Sequence, residues 1–247
     1  MSRVKPFLLL ATRAEDEAAD DEYAAFLHAG GLEPAELRRI RLEAAPLPAL
    51  DLDEYSGIIV GGSPYTVSDP ESEKSASQRR VERELGALLD VVVARDLPFL
   101  GACYGIGLLG THGRGVVDRR WSEPIGRIRV TLTPEGAEDP VFSSLPGSFD
   151  AFVGHKEACS ELPQGAVLLA GGESCPVQAF RIGRNVYATQ FHPELTVDGI
   201  VTRIHVYRDY GYFPPDRMHA LIESVEGASV SEPGKVVSAF VRRHARP

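Results

Sequence analysis

The chain has 247 residues, of which 43% are hydrophobic and 25% charged, an ordinary globular composition that can bury a full core as one domain. With 26 basic against 35 acidic residues its formal charge is −9, which argues against a nucleic acid or an anionic membrane as the main partner. The three cysteines, Cys103, Cys159 and Cys175, form no Cys-x-x-Cys pair, so neither a disulfide framework nor a zinc cluster is suggested and a reducing cytoplasm fits.

The apolar run within Met1 to Ala11 is too short for a signal peptide or membrane helix and reads as the first buried strand. A helix follows over about 16–30, stopped by Gly30-Gly31, with the acidic run Glu15 to Glu22 read as its solvated first turn. Ile40 to Leu42 is expected as a second strand, 44–53 as a Pro-rich surface connection, and Gly57 to Val60 as a third strand ending in the turn Gly61-Gly62-Ser63-Pro64. Residues 66–77 read as a polar loop over a site. An amphipathic helix over 78–95 carries Val81, Leu85, Leu88, Leu89 and Val92 on one stripe.

The next stretch organises the chain. Pro98-Phe99-Leu100 is a short buried strand, Gly101-Ala102-Cys103-Tyr104-Gly105 a sharp turn, and Ile106-Gly107-Leu108-Leu109 the start of a helix. Gly-x-Cys-x-Gly between strand and helix is the arrangement that displays a nucleophile, and a helix start favours a thiolate. The same residues match a dinucleotide fingerprint through Gly105, Gly107 and Gly110, but no acidic strand tip follows at the required distance; residues 113–124 read as a polar loop. Strand-like segments then recur at 125–132, 149–153, 166–170, 177–182 and 186–190. They are expected to form an antiparallel extension of a parallel core. Trp121 reads as a packing anchor, Glu123 as a surface acid, and Cys159 and Cys175 as structural thiols.

A cysteine nucleophile needs a base and a group to orient it. The strand 186–191 ends in His192-Pro193-Glu194, and residues two apart on an extended chain leave on the same side. The pair can therefore complete Cys103, His192, Glu194. His155, in Gly154-His155-Lys156-Glu157, has no comparably placed carboxylate and is a candidate for lining the pocket. Helices over 196–210, 216–226 and 234–244 are expected to cap the same single domain, 1–247, with the aromatic cluster 210–215 between the first two.

These motifs resemble the class I, triad-type glutamine amidotransferases, most of all stand-alone proteins labelled GMP-synthetase-like. The resemblance is carried by Gly101 to Gly105 and Gln190 to Glu194, supported by Gly57 to Pro64, similar to the family's oxyanion strand-loop, and Phe152 to Glu157, similar to its substrate-side loop. It implies an open, mostly parallel α/β sheet of flavodoxin-like type. It also implies attack of Cys103 on the glutamine side-chain amide, proton transfer by His192 held by Glu194, an oxyanion held by backbone N–H groups at Gly62, Ser63 and Tyr104, and no metal or organic cofactor. The family usually continues Cys-x-Gly-x-Gln, with that glutamine helping to hold the substrate; here the position is Gly107.

Three functions fit: a glutaminase passing ammonia to a separate synthetase, a free-standing hydrolase of γ-glutamyl amides or peptides, and a non-catalytic binding protein on the same scaffold. The first is the leading expectation; the altered position at Gly107 makes the second more attractive, and replacing Gly107 with Gln is expected, if the second holds, to improve use of free glutamine.

Overall fold

The computed structural model describes residues 4–247; the first residues of the Met1 to Ala11 segment lie outside them. Its first half alternates strand and helix: β1 (Phe7–Ala11), α1 (Asp16–Gly30), β2 (Leu37–Arg41), β3 (Gly57–Val60), α2 (Ala76–Arg95), β4 (Phe99–Ala102) and α3 (Tyr104–His112). The second half is richer in strands: β5 (Val116–Asp118), β6 (Glu123–Leu132), α4 (Pro134–Glu138), β7 (Ser148–His155), β8 (Ala158–Glu161), β9 (Val167–Gly172), β10 (Ala179–Ile182) and β11 (Val186–Thr189). It closes with α5 (Val197–Val206), α6 (Met218–Glu226) and α7 (Gly234–His244).

Nine strands form one sheet in the order β2-β1-β3-β4-β11-β10-β9-β6-β7. From β2 to β11 neighbours are parallel, and from β11 to β7 antiparallel, the mixed α/β architecture expected. The parallel strands are apolar on both sides because helices cover both faces. In β1, Phe7 and Leu9 join the core beneath α1 and α7, while Leu8 and Leu10 join the core beneath α2 and α3, as a period of two dictates. On α2 the predicted stripe is buried, and Ser75 caps the helix by accepting the Gln78 N–H at 3.0 Å. Among the described residues no helix is long and apolar enough to cross a membrane.

Several boundaries differ from expectation. The second strand runs from Leu37 rather than Ile40, because a Pro34–Glu36 turn with a capping box at Glu33 delivers the chain directly into it. Residues 113–124, read as a loop, contain β5, which pairs with β8 in a separate two-stranded sheet. The helix expected over 196–210 ends at Val206, and Tyr207 leads instead into an aromatic strap over the site.

One register positions the chemistry. Strands β4 and β11 are parallel neighbours with Ala102 opposite Thr189, so the residues just beyond both strands emerge at the same carboxyl edge, where open α/β sheets place their sites.

Candidate active site

Cys103 stands at the end of β4 as the residue preceding α3, with φ 52° and ψ −87°. A non-glycine residue so placed costs on the order of 1–3 kcal/mol and persists only where the surroundings enforce it. Here its N–H is held by the Thr189 carbonyl at 2.8 Å. A Cβ on Gly101 would lie 2.9 Å from the Gly105 backbone, so the turn closes only with glycine at 101. Burial pushes the Cys103 thiol up to about 12, with Arg13 pulling the other way. The resting group is thus a thiol: burial outweighs the helix start that the sequence suggested would favour a thiolate.

His192 follows β11 and is fixed by its N–H, which donates to the Phe152 carbonyl at 3.0 Å. Its Nδ1 lies 2.9 Å from Glu194 Oε1. Burial drives His192 down to about 4, with Glu194 opposing and Arg203 assisting, so the imidazole is neutral at neutral pH, as a base must be. Burial alone would push Glu194 up, but His192 and Arg203 together hold it below the usual carboxylate range. Arg203 Nη2 donates to Glu194 Oε1 at 2.9 Å, and its Nη1 sits 2.9 Å from His192 Nδ1. Nδ1 cannot bond both groups in one tautomer. The ionised carboxylate is the stronger acceptor for an Nδ1–H, and that tautomer leaves Nε2 as the acceptor for a thiol proton.

Arg203 belongs to a buried charge cluster that the sequence reading missed. It lies 3.7 Å from Glu22 Oε1, to which Arg13 Nε donates at 2.9 Å, and Arg13 Nη1 donates to the Tyr207 hydroxyl at 3.0 Å. Glu22 has no exposed surface, which corrects its assignment to a solvated turn. It falls on the buried stripe of α1 between Ala18 and Phe26, and a carboxylate within an apolar stripe was the available signal. Arg203 likewise interrupts the buried stripe Gly199, Ile200 and Ile204 of α5.

The expected oxyanion donors divide. The Gly62 N–H donates to Glu22 Oε1 at 3.1 Å and is already engaged. Gly62 serves in another way: a Cβ there would lie 2.5 Å from Arg13 and 2.6 Å from His192 Cε1, so glycine makes room for the imidazole. Ser63 lines the same cavities as Cys103, and the Tyr104 N–H opens α3, where helix geometry leaves N–H groups without internal partners.

His155 and Glu123 are buried, not exposed. His155 Nδ1 bonds the Glu157 carbonyl at 2.8 Å, its Nε2 lies 2.9 Å from Glu123 Oε2, and Gln178 donates to the same oxygen at 2.7 Å. Cys175 lies close enough that a metal could in principle join the three side chains. Hydrogen bonds already occupy both ring nitrogens and the facing carboxylate oxygen, so the cluster reads as a strut that fixes the end of β7. Gly107 faces Glu157: a Cβ there would lie 2.9 Å from Glu157 Oε1, so the carboxylate fills the space into which a side chain at 107 would grow.

Cavities open on both sides of Cys103. One of about 30 Å³ lies toward His192, Arg13, Arg203 and Tyr207, room for about two waters. The other lies toward Tyr104, Glu157 and Gln190, and shares Thr66, His155, Lys156 and Tyr212 with an outer cavity of about 610 Å³. The strap after α5 supplies Tyr212 to all three, and Lys156 Nζ ties it down by donating to the Tyr210 carbonyl at 2.7 Å.

The chain is similar to several known proteins. A family model described as glutamine amidotransferase class-I matches residues 31–200. A GMP synthase (glutamine-hydrolyzing) of Porphyromonas gingivalis is 34% identical over 146 residues, 59% of this chain and 26% of that protein. One subunit of the Methanocaldococcus jannaschii GMP synthase (glutamine-hydrolyzing) is 29% identical over 143 residues, 58% of this chain and 66% of that one. The chain spans about a quarter of the length of the first curated relatives it matches. A glutamine amidotransferase structure from Thermotoga maritima superposes with a TM-score of 0.78 at 18% identity, covering 97% of this chain and 98% of that one. Another from Methylobacillus flagellatus gives 0.72 at 19% identity, covering 99% and 96%. These likenesses establish the fold.

Proposed function

This chain belongs to the class I glutamine amidotransferase family, and from that premise we propose that it hydrolyses the side-chain amide of glutamine with Cys103 as nucleophile, His192 as base and Glu194 as the carboxylate that orients it. The observation that carries the reading is the β4–β11 register, which brings a strained Cys103 and a neutral, Glu194-bonded His192 to one cavity.

In this mechanism His192 Nε2 takes the thiol proton as Sγ bonds to the amide carbon. The resulting oxyanion faces the N–H groups of Ser63 and Tyr104. The carbon–nitrogen bond then breaks, and the imidazolium returns its proton to the departing ammonia. Water, deprotonated by His192, attacks the glutamyl thioester and releases glutamate and the Cys103 thiol. Glu194 holds the ring throughout, and Arg203 holds Glu194.

The leaving nitrogen must lie beside His192, which protonates it. The cavity on that side, about 30 Å³, has room for the departing ammonia, and the match to a family described as glutamine amidotransferase class-I supports glutamine over the γ-glutamyl hydrolase reading. The likeness to a protein named as one subunit of a GMP synthase supports delivery of the ammonia to a separate synthetase. A glutamine analogue bearing an electrophilic ketone in place of the amide tests the nucleophile directly. Peptide mapping is expected to find it on Cys103 and not on Cys159 or Cys175, with glutamine protecting; labelling elsewhere overturns the assignment.

A further inference from the structure

The backbone N–H groups of the turn after β3 can be counted one by one. Gly61 donates to the Leu10 carbonyl at 3.2 Å and Gly62 to Glu22 Oε1 at 3.1 Å, while Pro64 has no N–H to give. Among the described residues only the Ser63 N–H of this turn has no acceptor, and Ser63 lines both cavities that reach Cys103. The peptide before it sets its direction. The Gly62 carbonyl faces the Thr12 hydroxyl, 3.4 Å away, and in a trans peptide the following N–H points the opposite way. The turn thus offers one donor to an oxyanion, and the peptide that precedes that donor is held by a carboxylate from another element.

Glu22 reaches the turn from α1, forty positions away, and has no exposed surface. It lies so close that a Cβ on Gly61 would collide with its Oε2 and with its Cδ, the latter at 2.6 Å. The oxygen that takes the Gly62 N–H also accepts from Arg13 Nε at 2.9 Å and lies 3.7 Å from Arg203 Nη2, which donates to Glu194 Oε1. Oε2 has no hydrogen-bond partner among the described residues. A carboxylate this deep must be paired, and the two guanidiniums supply that. The contact of the same oxygen with the Gly62 N–H is an addition that an ion pair does not require.

We propose that Glu22 is a positioning residue for the reaction: it fixes the Gly62 peptide so that the Ser63 N–H faces the oxyanion, and through Arg203 it keeps that turn in register with the Glu194–His192 pair. This rests on the amide-hydrolysis reading above. Gly61 belongs to the same device, because only a residue without Cβ lets the carboxylate lie against the turn.

The test measures kcat and KM for L-glutamine, together with the rate at which iodoacetamide alkylates Cys103, in wild type, Glu22→Leu, Glu22→Gln and Gly61→Ala. Alkylation needs the thiolate but forms no oxyanion. Glu22→Leu and Gly61→Ala are each expected to lower kcat about 100-fold, the order of losing one oxyanion donor, with KM within about threefold and alkylation not slowed. Glu22→Gln keeps an oxygen for the Gly62 N–H and places its amide nitrogen where Oε2 has no partner, so its kcat is expected to stay within about tenfold of wild type. Should Glu22→Leu fail to fold, Gly61→Ala, which keeps every charge, decides alone. If Glu22 serves only as a countercharge, Glu22→Gln falls as far as Glu22→Leu and Gly61→Ala keeps the wild-type kcat, which overturns the proposal and leaves amide hydrolysis standing. A rise in KM or a slowing of alkylation in step with kcat marks a loosened site and overturns it as well. A wild type that releases no ammonia from glutamine overturns both this proposal and the reading beneath it.

Discussion

The acid limb of activity is expected to belong to His192 and to lie near pH 4. The imidazole is 5% exposed, and burial, reinforced by Arg203, takes it from 6.5 to about 4 against the attraction of Glu194. That fall corresponds to about 3 kcal/mol in favour of the neutral ring. The unfolded chain binds this proton below about 6.5 and the folded protein only below about 4. His192 therefore costs no stability above 6.5, and stability declines by about 1.4 kcal/mol for each pH unit through the window between. Urea unfolding of wild type and His192→Asn at pH 7 and pH 4.5 isolates the effect, since other titrating groups such as His244 are common to both proteins. Wild type is expected to lose about 2–3 kcal/mol more than the variant. In parallel, kcat/KM for glutamine is expected to stay flat from pH 8 down to about 5. An activity limb near 6.5, or identical stability losses in the two proteins, would refute the neutral, buried base.

Gly62→Ala is expected to lower kcat at least about 100-fold, since its Cβ would sit 2.6 Å from His192 Cε1 and a displacement of about 1 Å at a reacting group has that effect; kcat beside a thermal melt that leaves the fold intact checks it. Gly107→Gln, which the sequence alone suggested would improve glutamine use, is now expected to impair it, because the new side chain grows into Glu157 and frees the Val67–Ser68 segment that its carboxylate holds; a lower KM for glutamine would contradict this. Leu85→Ala removes a fully packed side chain from the α2 face and is expected to cost about 2–5 kcal/mol in urea unfolding with kcat unchanged.

Much of this molecule was legible in its residues, because the strongest signals were local. Phe7 to Ala11, Gly57 to Val60 and the stripe of α2 follow simple periodicities, and Gly101 to Gly105 states its own turn. The pairing of Cys103 with His192 needed an inference across 89 positions, and it rested on both residues ending strands, which the β4–β11 register explains. What stayed hidden was long-range electrostatics. Arg13, Glu22 and Arg203 come from three separate segments, and all three fall outside the residues matched by the family model. Their meaning appears only when α1 and α5 pack side by side. Glu123 looked like a surface acid and His155 looked to lack a carboxylate partner, because the two are 32 positions apart in sequence, whereas the antiparallel β6–β7 pairing sets Glu123 opposite His155 and buries both. The engaged N–H of Gly62 was equally invisible, since its partner, Glu22, lies 40 positions away.

The central claim is that Cys103 breaks the glutamine amide. It is tested most directly by following ammonia and glutamate release from L-glutamine by the purified protein and by Cys103→Ala, with circular dichroism confirming that the variant is folded. The account predicts equal amounts of both products from wild type and a loss of at least about 1,000-fold in the variant, the order expected for removing a covalent nucleophile. A folded Cys103→Ala protein that releases ammonia at the wild-type rate would contradict it.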